Sequence, residues 1–196
     1  MDNVKKTLLL IAGMPGAGKS IFVSVARKMS IPVYSMGDVI REEAKARQID
    51  LSDESLGKLA IELRKIYGDD IIARKISKQI ALSSSRIVLV DGVRSLEEVK
   101  FFQEEFGSIK IIAIHASPMT RYRRLIKRGR KDDPKDWEDF ISRDYRELNI
   151  GIGNVIALAD IMIINENITK EEFYDECMKV IKKVVGDDEN NCQNNY

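Results

Sequence analysis

The sequence predicts an α/β protein in which a parallel β-sheet carries helices on both faces. Two observations predict this class. Short apolar segments rich in β-branched residues alternate along the chain with longer segments whose apolar residues recur at helical spacing. In addition, a glycine-rich segment lies directly between the first predicted strand and the first predicted helix, as in the strand–loop–helix units of parallel sheets.

Five apolar segments have the length of β-strands, at residues 7–12, 31–35, 86–91, 109–115 and 160–164. Between the second and third of these strands the chain is helical over 38–47, 53–66 and 69–82. A simple crossover between parallel strands needs only a dozen or more residues. These helices are therefore predicted to form an insert that projects from the carboxyl edge of the sheet.

Capping residues and glycines set the other predicted helix ends. Ser52, Ser95, Ser117 and Thr169 are of the types preferred at N-caps, and each precedes a helical pattern. Other helices are predicted near 18–29, 118–127 and 134–148, whereas Gly151 and Gly153 are predicted to frame a loop. A single domain is expected over residues 1–185, followed by a polar tail over 186–196.

Composition limits the classes of function. The chain has 196 residues with 32 basic and 31 acidic side chains, and its net charge of +1 gives no support for nucleic-acid or membrane-surface binding. No segment has the length of a membrane span or a signal peptide. The two cysteines, Cys177 and Cys192, form no C-x-x-C motif. A cytoplasmic protein without a disulfide framework is therefore expected.

Residues 13–20 read G-x-x-x-x-G-K-S, the phosphate-binding loop signature. We call this segment the phosphate loop. Its backbone N–H groups are expected to form an anion nest, at which the following helix directs the positive end of its dipole. Lys19 is expected to act in catalysis on the β- and γ-phosphates, and Ser20 to ligate Mg²⁺. The predicted ATP-binding residues are Gly13, Met14, Pro15, Gly16, Ala17, Gly18, Lys19 and Ser20.

Two segments at the ends of other strands are predicted to complete the site. Asp91 ends the third strand, and a carboxylate beside a phosphate loop can hold Mg²⁺ or its water shell. The alternative is an ordinary aspartate in a turn. Residues 35–41 lead from a strand into a helix and offer a helix N-terminus and a cation to a second anionic ligand. The residues predicted to bind this ligand are Ser35, Gly37, Asp38 and Arg41.

Seven cationic residues lie between positions 121 and 131. Arg121, Arg124 and Arg128 have the spacing of one helix face. Such a cluster predicts a bound anion, because its charges would otherwise repel one another and because guanidinium groups match phosphate oxygens. The alternative is a solvated face paired with nearby carboxylates. We favour that alternative for Lys127 and Lys131, and the functional interpretation for Arg128 and Arg130.

The order of these segments resembles the nucleoside monophosphate kinases of the adenylate kinase type, over about residues 7–185. Ser35-Met36-Gly37-Asp38-Val39-Ile40-Arg41 resembles their T/S-G-D-x-[LI]-R segment, with one extra residue before the glycine. Asp91-Gly92-Val93-Arg94 resembles their Asp-Gly-Phe-Pro-Arg segment, with one residue fewer. The segment from Arg124 to Asp133 resembles their R-L-x-x-R entry to a short lid. The chain resembles the archaeal adenylate-kinase-related proteins of uncertain substrate equally well.

The resemblance implies a fold, a set of ligands and a set of roles. The fold is a P-loop NTPase three-layer sandwich with strand order 2-3-1-4-5, a helical insert for the nucleoside monophosphate at about 37–82 and a short lid at about 128–135. The ligands are ATP, Mg²⁺ and nucleotide substrates. Arg41 and Arg94 would hold the acceptor phosphate, and Arg124 would contact nucleotide. Arg128, Arg130 and Arg143 would close over the transferring phosphoryl group.

The predicted function is transfer of the γ-phosphoryl group of ATP to a small phosphate-bearing acceptor, with a nucleoside monophosphate such as AMP as the first choice. Two alternatives stay open. A dephospho-CoA kinase would need a base near a ribose hydroxyl, for which Asp38 is the candidate. The other alternative is a nucleotide-binding regulator with little turnover. It is kept because the glutamine that reads adenine in adenylate kinases has no counterpart close after Arg94. The sequence predicts no oligomeric state.

Overall fold

Five parallel strands form a single sheet in the computed structural model, which describes residues 6–130 and 132–193, the last seven of these by backbone alone. The spatial order is β2-β3-β1-β4-β5, so the predicted fold class and strand order are confirmed. Because β1 lies between β3 and β4, the loop after it opens at the point where the strand order reverses, where such sheets bind ligands. The strands are β1 (Thr7–Ala12), β2 (Val33–Ser35), β3 (Ile87–Asp91), β4 (Ser108–His115) and β5 (Ile161–Ile164).

Helices cover both faces of the sheet. Within the described ranges they are α1 (Lys19–Lys28), α2 (Met36–Ala46), α3 (Asp53–Tyr67), α4 (Ile71–Ala81), α5 (Leu96–Phe106), α6 (Pro118–Arg128), α7 (Trp137–Ile150), α8 (Ile152–Ala157) and α9 (Lys170–Gln193). None of these helices combines the length and the apolar character needed to cross a membrane.

The pleat of the central strand divides the core into two clusters. Leu8, Leu10 and Ala12 of β1 point to one face, where they join the apolar residues of α2, α3, α4, α5 and α8. Leu9 and Ile11 point to the other face and join α1 and α9. All five side chains are fully buried. Successive residues of a strand point to opposite faces, so one continuous apolar run serves both layers.

The insert α2–α4 shares the core of the sheet. Ile40 of α2, Leu59 of α3 and Ile76 of α4 are buried in the same cluster as β1 and β3. The last helix of the insert, α4, packs on β2 and α5 and so completes the crossover from β2 to β3. The insert thus covers one face of the sheet in addition to reaching its carboxyl edge.

The predicted N-caps are confirmed. Ser52, Ser95, Ser117 and Thr169 each accept a hydrogen bond from a backbone N–H three residues later. Capping at Ser95 and Thr169 is reciprocal, since Glu98 and Glu172 accept from the backbone N–H of their own N-cap residue.

Two helices differ from the sequence prediction. The segment predicted as a loop at Gly151 and Gly153 contains α8, which forms because Ile152 and Val155 bury their side chains against the core. Helix α9 continues past Gly186 to Gln193. A glycine inside a helix costs only about 1 kcal/mol, and the acidic residues that follow Gly186 are compatible with helical structure. The polarity of this segment alone therefore does not end α9. Residues 194–196 lie outside the described part of the predicted tail.

Candidate active site

A cleft of about 630 Å³ opens at the carboxyl edge of the sheet, between the phosphate loop, the start of α2, the end of β3 and helices α6 and α7. In the described part of the chain, nine cationic side chains and two carboxylates line it, although the whole protein has a net charge of only +1. This concentration of positive charge is typical of a phosphate site. The cations are Lys19, Arg41, Arg94, Arg124, Lys127, Arg128, Arg130, Arg143 and Lys170, and the carboxylates are Asp91 and Asp132.

The phosphate loop follows β1 as the sequence predicts. Gly18 has a φ of 116°, which favours glycine, and a Cβ at this position would lie 2.3 Å from the side-chain nitrogen of Asn165. A Cβ on Gly13 would lie 2.5 Å from the carbonyl oxygen of Ile114 in β4. Both glycines of the signature are therefore required by close contacts with β4 and with Asn165, directly after β5, as well as by the path of the loop.

Lys19 lies at the start of α1 with its ammonium inside the loop. Its Nζ donates to the carbonyl oxygens of Gly13 and, at 3.3 Å, of Met14. Burial of the ammonium, helped by the nearby charges of Arg94 and Arg143, lowers the pKa of Lys19 to about 8 against the opposing effect of Asp91. The surroundings thus disfavour the charged lysine relative to water, and added negative charge in the cleft would favour it.

Asp91 and Ser20 both line the cleft, as predicted for Mg²⁺ ligands. The Oδ1 atom of Asp91 is buried and has no hydrogen-bond partner among the described residues. A buried carboxylate oxygen without a partner is costly, and a cation is the partner it lacks. Mg²⁺ commonly takes one or two protein oxygens together with phosphate oxygens and waters. The hydroxyl of Ser20 and the carboxylate of Asp91 fit that donor set.

Arg94 reaches the cleft from the segment after β3. Its Nε donates to Oε2 of Glu147 at 2.5 Å, and its backbone N–H donates to Glu98 at 2.8 Å. The negative charge of Glu147 raises the pKa of Arg94. Burial alone would raise the pKa of Glu147, but the charge and hydrogen bond of Arg94 lower it, so both groups are charged. Two carboxylates therefore hold Arg94 in place.

Arg41 also lines the cleft, near Ser35 and Gly37. It pairs with Asp38 at 3.0 Å, and both side chains are about half exposed. Asp38 does not line the cleft, in contrast to the prediction that it binds the second ligand, because its place in the first turn of α2 directs it to solvent. An exposed ion pair contributes little stability, so Arg41 can exchange Asp38 for an anionic ligand.

The three arginines predicted to be catalytic all line the cleft. Arg143 of α7 donates to the carbonyl oxygen of Asp132 at 2.7 Å and pairs with Asp53 of the insert at 3.1 Å. Arg128 pairs through two nitrogens with Asp133, whose hydrogen bond raises the pKa of Arg128. Arg130 is exposed at the mouth. Their roles in catalysis stay predictions.

Arg121 does not belong to the cleft. It is 4% exposed, and its guanidinium pairs with Asp144 at 2.8 and 2.6 Å. The same group donates to the carbonyl oxygens of Ala116 and Pro15, so it supports the phosphate loop from behind. The argument that the cationic cluster needs a bound anion is therefore wrong for Arg121, which has a carboxylate of its own. Lys131 lies outside the described residues.

Asn165, which the sequence analysis missed, connects two parts of the site. It follows β5 and is 4% exposed. Its side-chain nitrogen donates to the carbonyl oxygen of Ala17 at 2.8 Å, and its side-chain oxygen accepts from Arg124 at 3.1 Å. The signal that could have identified it is its place directly after the last apolar strand, at the edge where ligands bind.

Comparisons with known proteins agree with this architecture. A family model of the AAA domain matches residues 12–140, which include the whole phosphate loop. A UPF0200 protein of Hyperthermus butylicus is 48% identical over 186 residues, covering 95% of this chain and 99% of that protein. The chain belongs to the UPF0200 family. A second member, from Staphylothermus marinus, is 47% identical over 182 residues, covering 93% and 95% of the two chains.

The solved structures similar to this UPF0200 protein include kinases of small molecules. TT1252 from Thermus thermophilus matches with a TM-score of 0.64 and 14% identity, covering 91% of this chain and 97% of that one. A shikimate kinase from Bacteroides thetaiotaomicron matches with a TM-score of 0.55 and 15% identity, covering 90% and 98%. At such identities these matches establish the P-loop kinase fold alone. The adenylate kinase resemblance stays a prediction.

Proposed function

We propose that this UPF0200 protein is an ATP-dependent phosphotransferase that acts on a small anionic acceptor. The observation that carries the proposal is the concentration of nine cations in one cleft of a neutral protein. The phosphate loop, with Lys19, bounds one part of this cleft, and Arg41 and Arg94 bound another. Such a cleft suits two anionic ligands side by side, a nucleoside triphosphate and an acceptor.

The proposed reaction is a direct phosphoryl transfer. An oxygen of the acceptor attacks the γ-phosphorus of ATP, the bond from that phosphorus to the bridging oxygen breaks, and the bridging oxygen leaves with ADP. Lys19 and the loop amides hold the donor phosphates, while Arg143 and Arg128 neutralise the charge that builds up on the moving group. Ser20 and Asp91 would hold Mg²⁺, which would supply positive charge to the phosphates of the donor.

The acceptor implied by the sequence resemblance is a nucleoside monophosphate such as AMP, whose phosphate would lie between Arg41 and Arg94. When the attacking oxygen belongs to a hydroxyl group, its proton must pass to a carboxylate or to solvent. Asp38 does not line the cleft, which weighs against dephospho-CoA. Asp132 lines the cleft and is the better candidate.

Replacing Lys19 by alanine tests the proposal. We expect phosphoryl transfer to fall by about a hundredfold or more, because a charge directed at the reacting phosphates is lost. The measurement is ADP release from Mg·ATP with a panel of acceptors that includes AMP, CMP and glycerol 3-phosphate. The matched control is Lys45→Ala, at an exposed lysine of α2. Unchanged transfer in Lys19→Ala would refute the proposal, and tight ATP binding without acceptor-stimulated ADP release would favour the regulator.

A further inference from the structure

Arg146 of α7 lies against the insert helix α3, which it contacts at Asp53 and at Gly57. Its guanidinium pairs with the carboxylate of Asp53, the first residue of α3. The same carboxylate pairs with Arg143 at 3.1 Å, so Asp53 joins two arginines of α7 to the insert. The Arg146 side chain is 20% exposed. Because this ion pair fixes its guanidinium, the Arg146 side chain has a defined position and can form the wall of a cavity.

Gly57 of α3 makes the close approach of Arg146 possible. A Cβ on Gly57 would lie 2.7 Å from Nε of Arg146 and 3.0 Å from its Cδ and Cζ atoms. Gly57 has no positive φ, so the helix backbone does not require glycine at this position. Glycine in the middle of a helix is destabilising relative to alanine. A side chain at position 57 would therefore displace Arg146 from its observed place.

Arg146 separates two cavities of different size. On one side is a small cavity of about 70 Å³, which shares Arg41, Arg94 and Arg143 with the cleft described above. On the other side is a groove of about 940 Å³ between α3, α5, α7 and α8. Arg146 and Ile150 are the residues that line both. The groove is open to solvent and partly apolar, with Ile61, Tyr145 and Leu148 exposed along it.

The small cavity limits what can bind beyond Arg41 and Arg94. Its volume of about 70 Å³ has room for at most about five to seven water molecules, because a cavity needs at least about 10–15 Å³ to hold one. A ribose with a nucleobase has several times as many non-hydrogen atoms. Within the described residues four arginines and three carboxylates line the cavity, an excess of one positive charge; the carboxylates are Asp53, Asp132 and Glu147.

We propose that Arg146, seated on Gly57, is the specificity-determining residue of the acceptor site. It closes the small cavity on the side opposite the cleft and so restricts the acceptor to a small anionic compound that carries a phosphate or carboxylate. The proposal rests on the proposed function and narrows its acceptor to compounds smaller than a nucleoside monophosphate. The transfer step is the one given above, with the attacking oxygen belonging to this small compound.

The experiment measures binding separately from turnover. The protein is saturated with Mg²⁺ and the non-hydrolysable donor analogue AMP-PNP, so that AMP competes only for the acceptor site. Calorimetry then gives the affinities for glycerol 3-phosphate, 3-phosphoglycerate and AMP. We expect both small phosphates to bind more tightly than AMP. In Arg146→Ala the ratio of small-phosphate to AMP affinity should fall by about tenfold or more, since the wall and its charge are lost together.

Gly57→Ala is the second variant, because Arg146→Ala removes two contacts and could unfold the insert. A methyl group at position 57 must displace Arg146, so the same change in selectivity is expected. Gly186→Ala is the matched control, since a Cβ at position 186 meets nothing within 4 Å. Arg123→Ala, at an exposed arginine of α6, controls for the loss of charge. Neither control should alter the ratio of affinities.

Different results would overturn this inference and the proposed function. The inference fails if wild-type protein binds AMP at least as tightly as the small phosphates, if none of them binds, or if both variants keep the wild-type ratio while they remain folded by thermal unfolding. The proposed function fails separately if the small phosphates bind with the expected selectivity but ATP yields no phosphorylated product and no ADP with any of them.

Discussion

At the scale of single residues, Lys19 shows how the phosphate loop alters its own chemistry. The loop amides and carbonyls withdraw the ammonium from solvent, and burial brings its pKa down from 10.5 to about 8. Below pH 8 the folded protein carries a desolvated charge, which reduces its stability. That cost disappears as the pH rises from about 8 to 10.5, where the unfolded chain also loses the proton. The phosphates of a ligand are what would favour the charged form.

Nucleotide binding should therefore take up protons at mildly alkaline pH. At pH 8 about half of the free protein carries neutral Lys19, and bound phosphates raise the pKa, so about half a proton should be taken up per ADP bound. Affinity should fall as the pH rises above 8. Calorimetry in two buffers of different ionisation enthalpy measures the uptake. In Lys19→Ala the uptake should vanish, and equal uptake in both proteins would contradict the assignment to Lys19.

At the scale of elements, helices α6 and α7 are joined by a buried charge pair beneath the phosphate loop. Arg121 of α6 binds Asp144 of α7 through two nitrogens and also packs over the ring of Phe140, 5.0 Å from its centre. Backbone atoms of Arg121 lie against Gly16 of the loop. A Cβ on Gly16 would lie 2.8 Å from the carbonyl oxygen of Arg121. The position of the loop therefore depends on this packing between two helices.

Replacing Asp144 by alanine leaves the guanidinium of Arg121 buried without its carboxylate. Breaking a buried pair in this way costs about 3–5 kcal/mol, so the free energy of unfolding should fall by that amount. Urea unfolding measures it. Asp175→Ala, at an exposed aspartate of α9, should leave the unfolding midpoint unchanged. If Asp144→Ala lowers the free energy of unfolding no more than Asp175→Ala does, the Arg121–Asp144 pair contributes nothing to stability.

Local elements were the part that the sequence could predict. The phosphate loop, the strands and the caps at Ser95 and Thr169 depend on residues a few positions apart, and their patterns are visible in the chain. Helix α8 was missed, because its formation depends on the burial of Ile152 and Val155 against residues distant in sequence. The partners of the arginines were missed for the same reason: Arg94 meets Glu147 53 positions further along the chain.

At the scale of the whole molecule, the insert is tied to α7 by charge. Asp53 holds both Arg143 and Arg146, and no local pattern in the sequence marks this link, since 93 positions separate Asp53 from Arg146. The apolar residues of the insert anchor its other side in the core. The edge of the insert that faces the cleft is thus held mainly by Arg143 and Arg146, two cations that an anionic ligand would also attract.

Removing the Asp53 carboxylate should loosen that edge. In Asp53→Ala we expect amide hydrogen exchange in the first turns of α3 to rise by about fivefold or more, while β1 and β3 stay protected, because only the local opening equilibrium changes. Mass spectrometry of exchanged peptides measures this. Glu62→Ala is the matched control, since Glu62 pairs with Arg47 inside the insert at 3.3 Å. Equal exchange in the two variants would exclude a role for the Asp53 link.

Hydrolysis of the Asn165 amide would disturb the site at its buried side. Asparagine is among the thermolabile residues, and its deamidation would replace the donor that faces the carbonyl oxygen of Ala17 by a carboxylate oxygen. Two acceptors would then face each other in a buried place, with no proton between them. The same change would put a negative charge beside the loop that receives the phosphates. One hydrolysed amide would thus disturb the phosphate loop without any cleavage of the chain.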